Sequence, residues 1–232
     1  MTSTRLPGKV LMPLAGRPIL DWVFRAAQSS AEIDDVVLAT SHDPSDDVLA
    51  EFAVAKGVKV VRGPLDDVLG RFVMAVNTVP ADAIVRLTAD CPLLDPALID
   101  SVVSVWRHNS QTDYVASTLQ RSLPRGLDVE CVRTSALLAL DSVASGYDRT
   151  HVTSMLYAEG SKFSRLGLTT MPNRSHFRLT VDAPLDFEAL QEITLRTGDR
   201  VVPWREILEI LEANPNIAAI NNSVRQKDVA EG

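Results

Sequence analysis

Apolar residues in the first half of the chain recur in two rhythms that take turns. Residues 33–40 end in Val36-Val37-Leu38-Ala39-Thr40, which predicts a strand, and Asp43-Pro44 then caps a helix over residues 46–56 that Gly57 closes. The unit repeats. Residues 58–61 form a short β-branched strand, and Val68, Phe72, Val73 and Val76 keep helical spacing within residues 64–76. Residues 83–88 then read as strand and 96–106 as helix. Strands separated by helices of this length imply right-handed crossovers and a parallel sheet, hence an α/β fold. From about Asp113 the rhythm changes. Strand candidates at 113–118, 127–132, 163–168 and 177–180 are separated by turns and by helices over 135–144 and 150–159. This predicts a small antiparallel extension that carries substrate contacts and a subunit interface. Residues 185–196 and 204–213 close the pattern as helices.

Ahead of these elements stands a segment of another kind. Ser3-Thr4-Arg5-Leu6-Pro7-Gly8-Lys9 places two cations, two hydroxyls and a glycine within seven residues, before the apolar stretch from Val10 to Leu14 and then Gly16-Arg17-Pro18. Proline holds this backbone out of a helix, so side chains and amides can converge on an anion, and the segment reads as a grip for a triphosphate. It lacks the glycine spacing and Lys-Ser/Thr ending of a Walker loop, which argues against a P-loop ATPase.

Composition narrows the class of partner. A chain of 232 residues with 46% apolar residues can bury a sizeable core as one domain with a small lobe. Its formal charge of −7 argues against nucleic-acid binding, which needs Lys and Arg to neutralise phosphates. The basic residues are scattered, concentrating only near Arg5 and Lys9 and around Arg121 and Arg125, so a small anionic substrate fits better. Two cysteines, Cys91 and Cys131, support neither a disulfide framework nor a zinc site of the usual spacing, and fit a reducing cytoplasmic setting. No apolar run reaches membrane-spanning length, so no membrane partner is expected.

Two aspartates stand where chemistry is expected. Asp90, in Thr88-Ala89-Asp90-Cys91-Pro92, follows an apolar strand and falls at its carboxyl end, where open parallel sheets bind ligands. Asp182, in Leu179-Thr180-Val181-Asp182-Ala183-Pro184, repeats the arrangement. Two carboxylates brought to one edge repel unless a cation lies between them, and Mg²⁺ takes carboxylate oxygens together with phosphate and water. Asp90 and Asp182 are therefore a candidate magnesium pair; the alternative is that each caps the helix that follows.

These segments, in their order and spacing, resemble the cytidylyltransferases that join CTP to acidic sugars, and most closely the spore-coat-polysaccharide branch of that family. The opening loop resembles the signature Ser-x-Arg-Leu-Pro-x-Lys. Gly63 to Phe72 is similar to the acidic-Asp-Val-Leu-x-Arg-Tyr segment, Arg86 to Pro92 to the metal-bearing strand end, and Pro124 to Glu130 to the substrate-side hairpin. His151-Val152-Thr153, Phe177 to Asp182 and Asn214 to Asn221 follow in family order. The resemblance implies a Rossmann-like, three-layer nucleotide-diphospho-sugar transferase fold (glycosyltransferase-A-like) with a mostly parallel sheet. Its nucleotide-binding part would span about 1–112 and 177–213, with a substrate and dimerisation part at about 113–176. In the family the loop follows a buried first strand, whereas Met1 aligns inside the motif, so about ten further residues, one strand and a turn, are expected upstream.

The resemblance also implies roles. Arg5 and Lys9 would hold the CTP phosphates and act on departing pyrophosphate, with Ser3 donating to a phosphate or ribose oxygen. Arg71 would contact nucleotide, or pair with Asp67 one helical turn away. Arg86, among apolar strand neighbours, needs an anionic partner, which Asp90, Glu130 or ligand would supply. Arg125, Asp128 and Glu130 would meet the acceptor, the last two sharing a strand face by the two-residue period. An acceptor oxygen would attack the α-phosphorus in line, with Mg²⁺ on Asp90 and Asp182 stabilising charge. A homodimer through about residues 113–168 is expected, because Val115, Met155, Leu156 and Tyr157 exceed what a small lobe buries. Two rivals remain. A glycosyltransferase of this architecture should carry Asp-x-Asp where Cys91-Pro92 follows Asp90, and a non-catalytic nucleotide-binding module requires the first strand to be truly absent.

Overall fold

A computed structural model of the chain describes residues 5–109 and 111–226. Gly8, at φ 70°, turns the chain into a single 3-10 turn, Lys9–Leu11. A hairpin of β1 (Pro13–Leu14) and β2 (Arg17–Pro18) follows, joined by Ala15 and Gly16 at φ 47° and 78°. Both central residues are left-handed, as a type I′ hairpin turn requires. Helix α1 (Ile19–Gln28) then runs between two parts of the core. Ile19, Trp22, Val23 and Ala26, at i, i+3, i+4 and i+7, enter the larger cluster, while Leu20 and Phe24 enter a separate one with Leu49, Ala53 and Val58. Its apolar face follows helical spacing, with Asp21, Arg25 and Gln28 as its polar positions. The periodicity is present in the sequence, although no helix was assigned to these residues above.

The alternation predicted for the next hundred residues is present. Strand β3 (Val37–Ser41), helix α2 (Asp47–Ala55) and strand β4 (Lys59–Gly63) form a unit whose strands pair in parallel, Val37 opposite Lys59 and Ser41 opposite Gly63. Helix α3 (Val68–Thr78), capped by the Asp67 carboxylate on the Gly70 amide at 2.9 Å, leads to β5 (Ala83–Arg86), and α4 (Pro96–His108) follows, capped by Asp95. The remaining elements are β6 (Tyr114–Ala116), β7 (Glu130–Arg133), α5 (Thr134–Asp141), α6 (Tyr147–Thr150), α7 (Ser154–Tyr157), β8 (Arg165–Gly167), α8 (Pro184–Thr197), α9 (Trp204–Ala213) and α10 (Pro215–Ile220).

The fold is α/β, and its sheets are mixed rather than mostly parallel. Strands run in the order β5-β7-β6-β8, with β7 antiparallel to both neighbours and β6 parallel to β8. Among the described residues no ladder joins β3 to β5. Leu38 and Val85 instead border a cavity of about 630 Å³ that Phe24 of α1 and Phe72 of α3 also line.

Several boundaries differ from the pattern, each for a tertiary reason. Residues 177–180 make only an isolated bridge, Arg125 to Arg178, with Leu179 N–H donating to Arg125 C=O at 2.6 Å. Gly126 makes this approach possible: at φ 105°, a Cβ there would lie 2.5 Å from the Leu179 carbonyl carbon. The single helix expected over 150–159 is split into α6 and α7, because Val152 takes φ 29° and buries its side chain beside Tyr114, Leu137 and Leu156. Val115 and Leu156, read above as apolar surplus for a subunit interface, are fully buried within the monomer. No helix among the described residues is long and apolar enough to cross a membrane.

Candidate active site

Two backbone contacts fasten the strand-end aspartates to one another. Val181 N–H donates to Asp90 C=O at 2.9 Å, and the Thr180 hydroxyl donates to the same carbonyl at 3.3 Å. The flanking side chains Cys91, Leu93, Leu179 and Val181 are all in the main core, so both aspartates project from a rigid floor. The 3-10 turn after Gly8 then delivers Lys9 between them. Its ammonium lies 2.6 Å from Asp90 Oδ2 and 2.8 Å from Asp182 Oδ1, with only 12% of the lysine side chain exposed. Burial pulls the Lys9 pKa down, but the attraction of Asp90 and Asp182 outweighs it and holds the value above that of an ordinary lysine. Burial likewise pushes Asp182 up, and Lys9 and Arg178 reverse that and hold it below the usual carboxylate range.

Asp182 is gripped from its other side. Arg178 Nη2 donates to Asp182 Oδ2 at 2.6 Å, and Arg5 Nη2 lies 3.4 Å from the same oxygen. Arg178 is oriented by Asp186, which is completely buried and receives its Nε at 2.7 Å. The Asp186 carboxylate also accepts the Asp182 and Ala183 amides at 2.9 and 3.0 Å and Asn221 Nδ2 at 3.0 Å. A reach-back from the third residue of α8 to the amide before it is ordinary capping chemistry, here turned to holding a site residue. Arg178, Asp186 and Asn221 were not singled out by the sequence reading. The available signal was spacing: Arg178 and Asp186 each stand four residues from Asp182.

The cluster of Asp90, Asp182, Asp186, Lys9, Arg5 and Arg178 is balanced in formal charge. A triphosphate brought to it adds negative charge that these side chains alone leave uncompensated. Two carboxylates already meet at one cation, and their hard oxygen donors suit a divalent ion that completes its shell with phosphate and water. No third Asp, Glu, His or Cys joins them among the described residues. The donor set therefore fits Mg²⁺ or a similar ion bound together with nucleotide, with the Lys9 ammonium standing where such an ion would be shared.

The other sequence candidates divide into groups. Ser3 lies outside the described residues. Arg71 is nearly buried and does not pair with Asp67, which is taken by Arg149 at 2.6 and 2.9 Å; Arg71 donates to the Pro64 and Leu65 carbonyls, and its Nε has no partner. Arg86 finds its anion in Glu130. Glu130 does not share an exposed face with Asp128: it is buried, and Tyr114 and Thr153 hydroxyls donate to its other oxygen. The strand starts only at Glu130, so the two-residue period does not extend back to Asp128, which instead forms a fork with Arg121 at 2.6 and 3.1 Å. Arg125 is half-buried in the field of Arg121, Asp128, Arg178 and Asp182; burial, then Arg121, lowers its pKa. Cys91 is a packing residue, with its thiol pushed well up by burial and by Asp90.

Cations and paired carboxylates thus meet at the strand ends, an arrangement able to receive a phosphorylated ligand together with a divalent ion. The chain belongs to the cytidylyltransferase family, whose model matches residues 1–216. It is 33% identical over 229 residues to the spore coat polysaccharide biosynthesis protein SpsF of Bacillus subtilis, covering 94% of this chain and 93% of that one. A cytidylyltransferase structure from Leptospira borgpetersenii superposes with a TM-score of 0.90 at 30% identity, over 98% of this chain and 95% of that one. The fold is shared with CMP:2-keto-3-deoxy-manno-octonic acid synthetase, solved in complex with CTP, at a TM-score of 0.63 and 17% identity over 84% and 95% of the two chains.

Proposed function

We propose that the protein transfers CMP from CTP to an acidic sugar or related acceptor and releases pyrophosphate, in polysaccharide or glycoconjugate biosynthesis. The observation that carries this reading is the convergence of Lys9, Arg5 and Arg178 on the Asp90–Asp182 pair. Arg5 and Lys9 lie on one loop and meet the β- and γ-phosphates, a guanidinium fork and a point charge offsetting the departing pyrophosphate. Arg178, locked by Asp186, keeps Asp182 aimed while charge moves. Arg125 and the Arg121–Asp128 fork form the acceptor side, a cation pair suited to a carboxylate. When bound, Mg²⁺ on Asp90 and Asp182 neutralises charge on the phosphoryl oxygens. The acceptor oxygen attacks the α-phosphorus in line and the bond to pyrophosphate breaks; no covalent protein intermediate forms. Catalysis is then positioning plus electrostatics.

The reading extends to a homodimer through the segment from about residue 113 to 168, where Leu138, Val143, Tyr147, Tyr157 and Leu166 remain exposed after the core is filled. Light scattering at tens of micromolar distinguishes dimer from monomer. Activity is tested by incubating the protein with Mg²⁺ and each of CTP and UTP against a panel of acidic sugars and phosphorylated polyols. Pyrophosphate release that needs CTP and an acidic sugar supports the reading; release from none of the pairs removes it.

A further inference from the structure

The contact at the centre of the site has a mechanical implication. We propose that Lys9 is an exchangeable occupant of the cation position: its ammonium holds Asp90 and Asp182 together in the nucleotide-free protein and moves onto the phosphates when CTP and a divalent ion arrive. This rests on the nucleotidyl-transfer reading above and adds to it a coupling between metal and nucleotide.

Geometry supports the exchange at each partner. The ammonium makes hydrogen bonds of 2.6 and 2.8 Å to one oxygen of each carboxylate, so it uses the lone pairs that a shared metal ion would use. An ion taking those oxygens at about 2.0–2.1 Å competes with it for them and repels its charge. The two carboxylates are held unequally. Asp182 keeps Arg178 and Arg5 on Oδ2 when Lys9 leaves Oδ1, so its position survives the exchange. Among the described residues Asp90 has no second cation in contact; besides Lys9 its carboxylate receives only the Cys91 thiol at 3.6 Å. Departure of Lys9 therefore leaves the Asp90 carboxylate without its cation beside a still-paired Asp182, which favours a divalent ion there. A four-carbon stem with a compact head can make this move; a forked, planar guanidinium adapts less well. The loop that carries Lys9 also carries Arg5, so phosphates drawn to Arg5 arrive within reach of the lysine.

Consequently metal and CTP should each raise the other's affinity, and the coupling should pass through Lys9. The experiment titrates Mn²⁺, followed by the electron paramagnetic resonance signal of the free ion, into wild type, Lys9→Gln, Lys9→Met and Lys9→Arg, each without nucleotide and with CTP but no acceptor, the uptake by the same concentration of CTP alone being subtracted. Circular dichroism and thermal midpoints establish that each variant is folded. Without nucleotide, wild type and Lys9→Arg should bind Mn²⁺ weakly, whereas the two neutral variants should bind on the order of tenfold more tightly, because one opposing charge at contact distance has gone. CTP should tighten Mn²⁺ binding strongly in wild type and much less in the neutral variants. Equal nucleotide-free affinity in wild type and in whichever neutral variant folds overturns the exchange while leaving the proposed activity intact. Absence of Mn²⁺ binding in wild type even with CTP overturns the metal-dependent reading itself, and the exchange with it.

Discussion

Two clusters in this protein pair carboxylates with cations and behave differently. At the strand ends, Lys9 spans Asp90 and Asp182 with side chains 12%, 24% and 16% exposed. On β7, Glu130 is 5% exposed as a residue, and Arg86, Tyr114 and Thr153 satisfy both of its oxygens. The first cluster joins three separate chain segments around one flexible ammonium and opens to solvent, so its partners can be exchanged. The second is closed around the Glu130 carboxylate, which has no water to replace a lost partner, although Arg86 reaches the surface. A charged residue beside a sheet is thus available for chemistry only if its contacts are replaceable.

Substitutions sharpen this contrast, the largest effect being on turnover. Asp90→Asn and Asp182→Asn should each lower single-turnover rates by orders of magnitude, since a neutral amide holds a divalent ion poorly. The double variant should be little slower than either single one, as groups acting on one ion are not additive. Near-normal turnover in a destabilised Asp182→Asn protein would instead make the strand-end carboxylates helix caps, worth about 0.5–2 kcal/mol of stability.

Glu130→Ala should act in the opposite way. It strands the Arg86 guanidinium and the buried Tyr114 hydroxyl, and urea unfolding should register a loss of about 3 kcal/mol. Arg86 keeps part of its surface in water, which places the value at the low end for a broken buried pair. Turnover per folded molecule should change far less than in Asp90→Asn; a collapse of turnover without loss of stability would move Glu130 into the site.

Acid provides a smaller separation. Asp182 has a depressed pKa in the folded protein, so its contribution to stability is full above its unfolded value of about 3.9 and is lost as pH falls through the lower folded value. Stability measured from pH 5 downwards should therefore decline less in Asp182→Asn than in wild type. Parallel declines would show that Lys9 and Arg178 do not favour the ionised carboxylate. The smallest effect concerns the thiols. Cys91 and Cys131 are buried, burial pushing the latter up to about 12, so iodoacetamide at pH 8 should leave the native protein unmodified over a period that alkylates both in denaturant. Rapid native labelling of Cys91, next to Asp90, would show that the floor of the site opens.

Much of the fold was legible along the chain, and the failures have identifiable causes. Helices α2, α3 and α4 announce themselves by caps and periodicity, as do β3, β4 and β5 by β-branched runs. Helix α1 carries the same periodicity in Ile19, Trp22, Val23 and Ala26 but has no side-chain N-cap to mark its start, and it went unassigned. The break at Val152 was hidden since a β-branched residue at positive φ contradicts local preference and is held there by burial of its side chain. Of the candidate site, Arg5, Lys9, Asp90 and Asp182 could be named from their segments, whereas Glu130 was misplaced by starting a strand three residues too early.

Short-range information accounts for what the sequence determined alone: the alternation of strand and helix, the aspartates after strands, the basic loop and the family signature all lie within windows of a few residues. Tertiary structure decided which charges meet. Lys9 lies 81 residues from Asp90 and 173 from Asp182, and no local pattern encodes that convergence. It arises because Leu14, Cys91, Leu179 and Val181 bury themselves in one core, and burial of those apolar neighbours carries the three charges to one place. The same packing turns Glu130 inward and leaves β3 and β5 apart, since the direction of a side chain and the partner of a strand edge are set by what the rest of the chain brings against them.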